Sequence, residues 1–178
     1  MTATLTSSQL ETSETPLTLL YPDLENELKT TRRVLERVPD GNDDYRPHEK
    51  SMTLGGLATH LAQLPGFGIA MLTTDHFDPM NRPKTPNPAN NDERLKLFDQ
   101  VSGKLRELLE QLTWDQTKVV WKIKSGDRVF MAGPRGLMLR SALITHMAHH
   151  RAQLGVYLRL LGVPVPSSYG PTADEPFQ

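Results

Sequence analysis

Residues 137–161, LMLRSALITHMAHHRAQLGVYLRLL, carry the pattern that most restricts how this chain can fold. At 3.6 residues per turn Leu139, Leu143, Met147, Leu154, Tyr157, Leu158 and Leu161 gather on one side of a helix, and that side has to face a core. His146 and His150 stand four residues apart on the same face, and at about 100° per residue His150 falls close to the centre of the apolar arc. His149 is the rival partner, but it lies roughly 60° from His146 on the side away from that arc, whereas His150 lies about 40° toward it. Taken alone, such an HxxxH pair is more often two hydrogen-bonded core imidazoles than a ligand set.

The remaining helical patterns are read the same way. Leu24, Leu28, Thr31, Val34, Leu35 and Val38 predict a first helix that stops at Pro39-Asp40-Gly41-Asn42; the residues leave open whether it begins after Pro22 or already near Pro16. Ser51 or Thr53 can cap a second helix running to about Leu72, with Leu54, Leu57, Leu61, Leu64 and Met71 inward. His60 falls on that face, so a third imidazole points inward from a different helix. Pro65, flanked by Gly66 and Gly68, predicts a kink rather than a stop.

Residues 73–91 contain Pro79, Pro83, Pro86 and Pro88 and no periodic signal, which predicts a long surface connection. Its Asp75-His76-Phe77-Asp78 looks like a ligand cluster but has no rigid element beneath it, and it is read as solvated loop. A third helix follows from Leu95, Phe98, Val101, Leu105, Leu108, Leu109 and Leu112, capped by Asn90 or Asn91; Asp99 and Glu110 are its sole candidates for reaching inward. Residues 119–131 alternate around Ser125-Gly126-Asp127 and predict a short hairpin, whose Trp121 must pack on the helices because two strands alone are marginal. Gly162 and Val163-Pro164-Val165-Pro166 end the last helix.

The expected architecture is therefore all-α: a four-helix bundle with a long crossover after the second helix and a short β-hairpin between the third and fourth. Residues 1–15 read as a mobile lead-in, 16–170 as the bundle domain and 171–178 as a tail whose last few residues fray. One domain suits 178 residues with 37% hydrophobic content. Twenty basic and 21 acidic residues, interspersed, give a net charge of −1 and no electrostatic footprint for nucleic acid. The start lacks a cationic, apolar leader and no stretch reaches membrane-spanning length, so a cytoplasmic protein without membrane contact is expected.

The absence of cysteine removes disulfides, thiolate ligands and a cysteine nucleophile, so a metal would have to use nitrogen and oxygen. His60, His146 and His150 would supply three nitrogens on one side of an ion and leave open positions, the pattern of a reactive site rather than of four-ligand structural zinc. Such a set suits Zn2+ or Ni2+ first, and Fe2+ after them.

The stretches HEKSMTLGGLATHLAQLPGF and THMAHHRAQL, the second on a helix led in by Gly-Pro-Arg, resemble the DinB/YfiT-like family of metal-binding four-helix bundles. The resemblance spans most of residues 20–170. It implies that His60, His146 and His150 hold a divalent metal, with Arg151 and Gln153 at the positions that follow the second histidine of the pair, and that the protein is a homodimer. It also implies the activity to expect first, transfer of a low-molecular-weight thiol to an electrophilic small molecule. Hydrolysis by metal-activated water is the alternative, since an open cation lowers the pKa of either nucleophile, and a non-catalytic metal-binding module is the third reading. His149 is the nearest candidate for a general acid or base, although a surface or supporting hydrogen bond is its blander role. Arg140 and Arg151 could attract a carboxylate, but are expected at the flank in exposed ion pairs.

Overall fold

A computed structural model describes residues 14–82 and 85–176 of the chain; the expected lead-in falls outside it except for Glu14 and Thr15. The first helical region is two helices. Thr15 caps α1 (Pro16–Leu20) in a capping box with Thr18, and α2 (Leu24–Leu35) starts only after Tyr21-Pro22-Asp23. Tyr21 is buried at this break, and its hydroxyl donates to the Gly136 carbonyl at 2.8 Å. Burial pushes that phenol up to about 12, against the opposing pull of Arg140.

Thr53 caps α3 (Leu54–Thr73), accepting from the Gly56 amide, and the helix runs on through Pro65. Asn90 caps α4 (Asn91–Glu110) by accepting from the Glu93 amide at 2.9 Å. The long crossover, Thr74–Asn90, thus joins two helices that pack directly on each other. Gly68 lets them approach the last helix as well, because a Cβ there would come within 2.7 Å of Leu143 and 2.9 Å of Leu105.

The all-α expectation needs correction, since the hairpin belongs to a three-stranded sheet. β2 (Val120–Ser125) and β3 (Arg128–Pro134) are antiparallel, and β1 (His76–Phe77) joins β2 in parallel with His76 opposite Lys122. The segment read as solvated loop is therefore partly a strand, although His76 itself is exposed. Its cause is Trp121: the ring is fully buried, 5.9 Å from Phe67, while Phe77 packs on Phe67 at 4.9 Å, so an aromatic cluster draws the crossover onto the sheet. A short helix, α5 (Trp114–Lys118), precedes the hairpin, with Thr113 and Gln116 forming its capping box. At the turn Gly126 has φ +55°, which disfavours any side chain there.

The fourth long helix is the second correction. It is not uniform: α6 (Arg135–Leu139) passes into a π-helical segment, Arg140–Thr145, and only then into α7 (His146–Leu160). Within that wider turn the Thr145 hydroxyl donates to the Arg140 carbonyl five residues back, at 3.2 Å. The four long helices pack in a ring, α2 on α4 and α7, α3 on α4 and α7, around Leu28, Leu57, Leu61, Phe98, Leu105, Met147, Leu154 and Leu158. Each such side chain withdrawn from water contributes about 1.5–3 kcal/mol. No helix among the described residues is long and apolar enough to cross a membrane.

Arg151, expected at an exposed flank, is instead buried with Glu27 of α2, at 4% and 2% side-chain exposure. Its Nη1 lies 2.7 Å from Glu27 Oε2 and donates to the Glu27 carbonyl and the Thr31 hydroxyl, each at 3.2 Å. The face of α7 that packs inward is Met147, Arg151, Leu154 and Leu158, so the cation sits where the apolar arc was expected to be unbroken. Arg140 does lie at the surface, paired with Asp23. Beyond residue 170 the chain is tied to the body by Arg159–Asp174 and Arg33–Glu175.

Removing one member of a buried pair strands the other charge, so Arg151→Ala should cost about 3–5 kcal/mol of unfolding free energy, and the double change Glu27→Met with Arg151→Met considerably less than twice that. Urea denaturation of the three proteins checks both values.

Candidate metal centre

His60 lies in the second turn of α3, held to its face by Leu57, Leu61 and Leu64, all buried. His146 opens α7 immediately after the π segment, and His150 follows one turn on. Because α3 packs on α7, the three rings converge: His60 stands 5.3 Å from His146 and 4.5 Å from His150, and His146 stands 4.6 Å from His150, centre to centre. One nitrogen from each ring can be chosen so that all three lie within 4.8 Å of one another. The rings are half-buried rather than enclosed. Arg151 and Met147 take the innermost positions on α7, which leaves His150 at the rim of the groove instead of at the centre of the arc.

Hydrogen bonds fix what each imidazole offers. His146 Nδ1 is 3.3 Å from the Ala142 carbonyl, and His150 Nδ1 is 2.8 Å from the side-chain oxygen of Gln153. The Ala142 carbonyl can only accept, so His146 Nδ1 carries the hydrogen and its Nε2 presents a lone pair; with the Gln153 amide oxygen turned to it, His150 Nδ1 carries its hydrogen and its Nε2 does the same. Those two Nε2 atoms are 2.8 Å apart. Two lone pairs at that distance repel unless a cation lies between them. In this orientation of the Gln153 amide a shared proton would serve only in an imidazolium, and the surroundings oppose one. Burial holds His146 and His150 below the ordinary imidazole value, against the opposite pull of their Nδ1 hydrogen bonds. Burial, then the neighbouring His150, His146 and Arg82, lower His60 to about 4. A divalent ion fits better: adjacent nitrogens each about 2.0–2.1 Å from one ion lie roughly 3 Å apart.

No Asp or Glu completes this cluster among the described residues. Asp99 pairs with Arg32 at the surface and Glu110 is exposed, so neither reaches inward. His149 is exposed, with its ring 4.9 Å from that of His150. What sequence reasoning missed lies on α4. Arg94, four residues before Phe98 and on the same stripe, is 2% exposed; it donates from Nε to Thr59 Oγ1 at 3.1 Å and pairs with Asp43. A polar residue at the head of an apolar stripe was the available signal. Arg94, Asp43 and His60 all line one open cavity of about 520 Å³.

The sequence model described as the DinB family matches residues 11–176. The uncharacterized protein YrdA of Bacillus subtilis is 27% identical over 154 residues, which cover 85% of this chain and 86% of that protein. Among solved structures, a DinB-like protein from Bacillus cereus superposes with a TM-score of 0.64 at 21% identity, covering 84% of this chain and 95% of the other. YfiT from Bacillus subtilis, described as a probable metal-dependent hydrolase with an unusual four-helix bundle topology, gives 0.58 at 18% identity over 91% of this chain and 93% of the other. At these identities the structural likenesses speak for the fold.

Two outcomes are expected. The Gln153→Leu protein should bind Zn2+ or Ni2+ about 10–100-fold more weakly than the parent in competitive titration, because the hydrogen bond that orients His150 is gone. In the metal-free protein the His60 ring should titrate near pH 4 by NMR. Since the unfolded chain takes up that proton from about pH 6.5 downward and the folded chain refuses it until about 4, the metal-free melting temperature should fall as pH drops through this window.

Proposed function

This chain belongs to the DinB family, and on that premise we propose that it is a metal-dependent enzyme acting on small molecules, with His60, His146 and His150 as the metal ligands. The observation that carries the reading is the 2.8 Å approach of two Nε2 atoms whose partner nitrogens both donate elsewhere. A divalent ion bound there acts as a Lewis acid that favours the ionised form of a thiol or a water molecule. The protein's part is to hold three neutral imidazoles ready. Ala142 and Gln153 fix two of the rings, and burial keeps all three unprotonated at neutral pH, so no proton has to leave before a ligand is taken up.

Transfer of a low-molecular-weight thiol to an electrophile is the reaction this site suits best. Hydrolysis needs a positioned group to take a proton from water and pass it to the leaving group; no carboxylate joins the three-histidine cluster among the described residues, and the candidate His149 is exposed. A thiol, being far more acidic and intrinsically nucleophilic, needs no such partner once ionised. The half-open rim lets an electrophile approach, and exposed His149 at its edge is free to steady a leaving group. The hydrolytic reading is supported by the likeness to YfiT.

Zinc- and nickel-loaded protein should turn over an activated electrophile such as 1-chloro-2,4-dinitrobenzene with at least one small thiol and leave a panel of esters and amides untouched. His150→Ala should lose about 100-fold or more in kcat/KM, the scale expected when a bound Lewis acid is lost, while its circular dichroism stays that of the parent. Ester cleavage without thiol transfer would select the hydrolase, and stoichiometric metal with turnover of neither class would select a binding module.

A further inference from the structure

The cavity beside His60 holds a polar arrangement that the metal centre does not use. Of its lining residues Arg82 and Arg94 are positive and Asp43 and Asp44 negative, so the wall is charge-balanced rather than a sink for anions. Arg94 is almost fully buried, yet its Nη1 has no hydrogen-bond partner among the described residues, and neither has the Asp43 Oδ1 of the carboxylate it pairs with. The pair therefore lacks one acceptor and one donor, and an incompletely satisfied guanidinium is costly to bury without a function or a ligand. The first turn of α3, at Thr53, Gly55 and Gly56, forms part of the same wall and turns the positive end of a 20-residue helix toward it. Gly55 is required there, because a Cβ would come within 2.7 Å of the Asp43 carboxylate carbon.

We propose that this cavity is a subsite for a zwitterionic α-amino acid head group, with the carboxylate directed to Arg94, Arg82 and the head of α3 and the ammonium to Asp43 and Asp44. A plain anion would satisfy the arginines and leave the two carboxylates facing it; an amine would do the reverse; a ligand carrying both charges meets both sets. The volume, about 520 Å³, lies within the range of roughly 300–1,000 Å³ typical of small-ligand sites and exceeds what a single amino acid fills. His60 is shared between the cavity and the histidine cluster, so a ligand seated by its head group directs its side chain toward the three rings. The assignment rests on the proposed function in one respect: it makes the small thiol an amino-acid-derived one.

The test uses S-methyl-L-cysteine, which keeps the head group but cannot supply a thiolate. Its binding to the zinc-loaded chain should be saturable by NMR, with shifts at the Gly55 and Thr59 amides. 3-(Methylthio)propanoate, without the ammonium, and 2-(methylthio)ethylamine, without the carboxylate, should each bind at least about tenfold more weakly, the loss expected when a built hydrogen-bonding site meets a ligand lacking its partner. Arg94→Lys should abolish binding. The exposed changes Arg82→Gln and Asp44→Asn should each weaken it by about threefold or more without moving the melting temperature, which keeps the test valid if Arg94→Lys does not fold. Equal binding of the three probes, no binding, or shifts confined to α7 would overturn the subsite. The same titration in the His146→Ala, His150→Ala protein separates the two readings: retained discrimination there, with metal and turnover gone, supports the subsite whatever the fate of the metal centre. Lost discrimination with metal and turnover intact in the parent overturns the subsite alone.

Discussion

Two imidazole Nε2 atoms 2.8 Å apart, each ring held by a hydrogen bond on its far side, are the constraint around which the histidine cluster is built. The fold is what holds them there. Both rings stand on α7, so their separation is set by their own side-chain torsions, which the Ala142 carbonyl and the Gln153 amide hold, while Arg151, bound to Glu27 and Thr31 of α2, and the packed Met147 and Leu154 fix the helix beneath them. α3 brings His60 to the same point, its close approach to Leu105 and Leu143 allowed by Gly68. An ion taken up there would remove the repulsion and add stability to a structure already formed.

The buried Glu27–Arg151 pair and the buried Arg94, which donates to Thr59 of α3 and pairs with partly exposed Asp43, do similar work beside the histidine cluster. Each buried arginine joins its helix to a neighbour, α7 to α2 and α4 to α3, and a buried ion pair seldom adds net stability over apolar residues of similar volume. Their value lies in direction. A buried arginine with defined hydrogen bonds fixes rotation and height between two helices, whereas leucines tolerate slippage, and three imidazoles from two helices meet only at a fixed rotation and height.

Most of the helical frame could be read from the chain because it depends on local periodicity. Caps near Thr53 and Asn90, each one of two candidates, the stops at Pro39 and Gly162 and the shared face of His146 and His150 all follow from residues within a turn or two of one another, while His150 stands nearer the rim than its periodicity suggests. What escaped depends on contacts distant in sequence. β1 exists because Phe77 finds Phe67 and Trp121, and nothing in Asp75-His76-Phe77-Asp78 announces that. Arg151 looks like a flank residue by type and becomes a core residue only when Glu27 is placed opposite it. Arg94 was hidden in the same way: its partners Thr59 and Asp43 lie 35 and 51 residues away. The Thr113–Gln116 capping box was local and legible, but short helices leave little apolar period to draw attention to them.

The π-helical segment carries a consequence of its own. A wide turn winds fewer degrees per residue than the α-helical turns on either side, so Met138 and Leu139 before it and His146 and His150 after it are out of phase with a single ideal helix. The segment sets the azimuth of the histidine-bearing half relative to the half that seats the sheet. Losing or gaining one residue in this turn, where Leu143 and Ile144 are buried, would swing α7 by about 100° and carry Met147, Arg151 and Leu154 out of the core together with the imidazoles, so its length is held by packing and by the meeting of the rings at once.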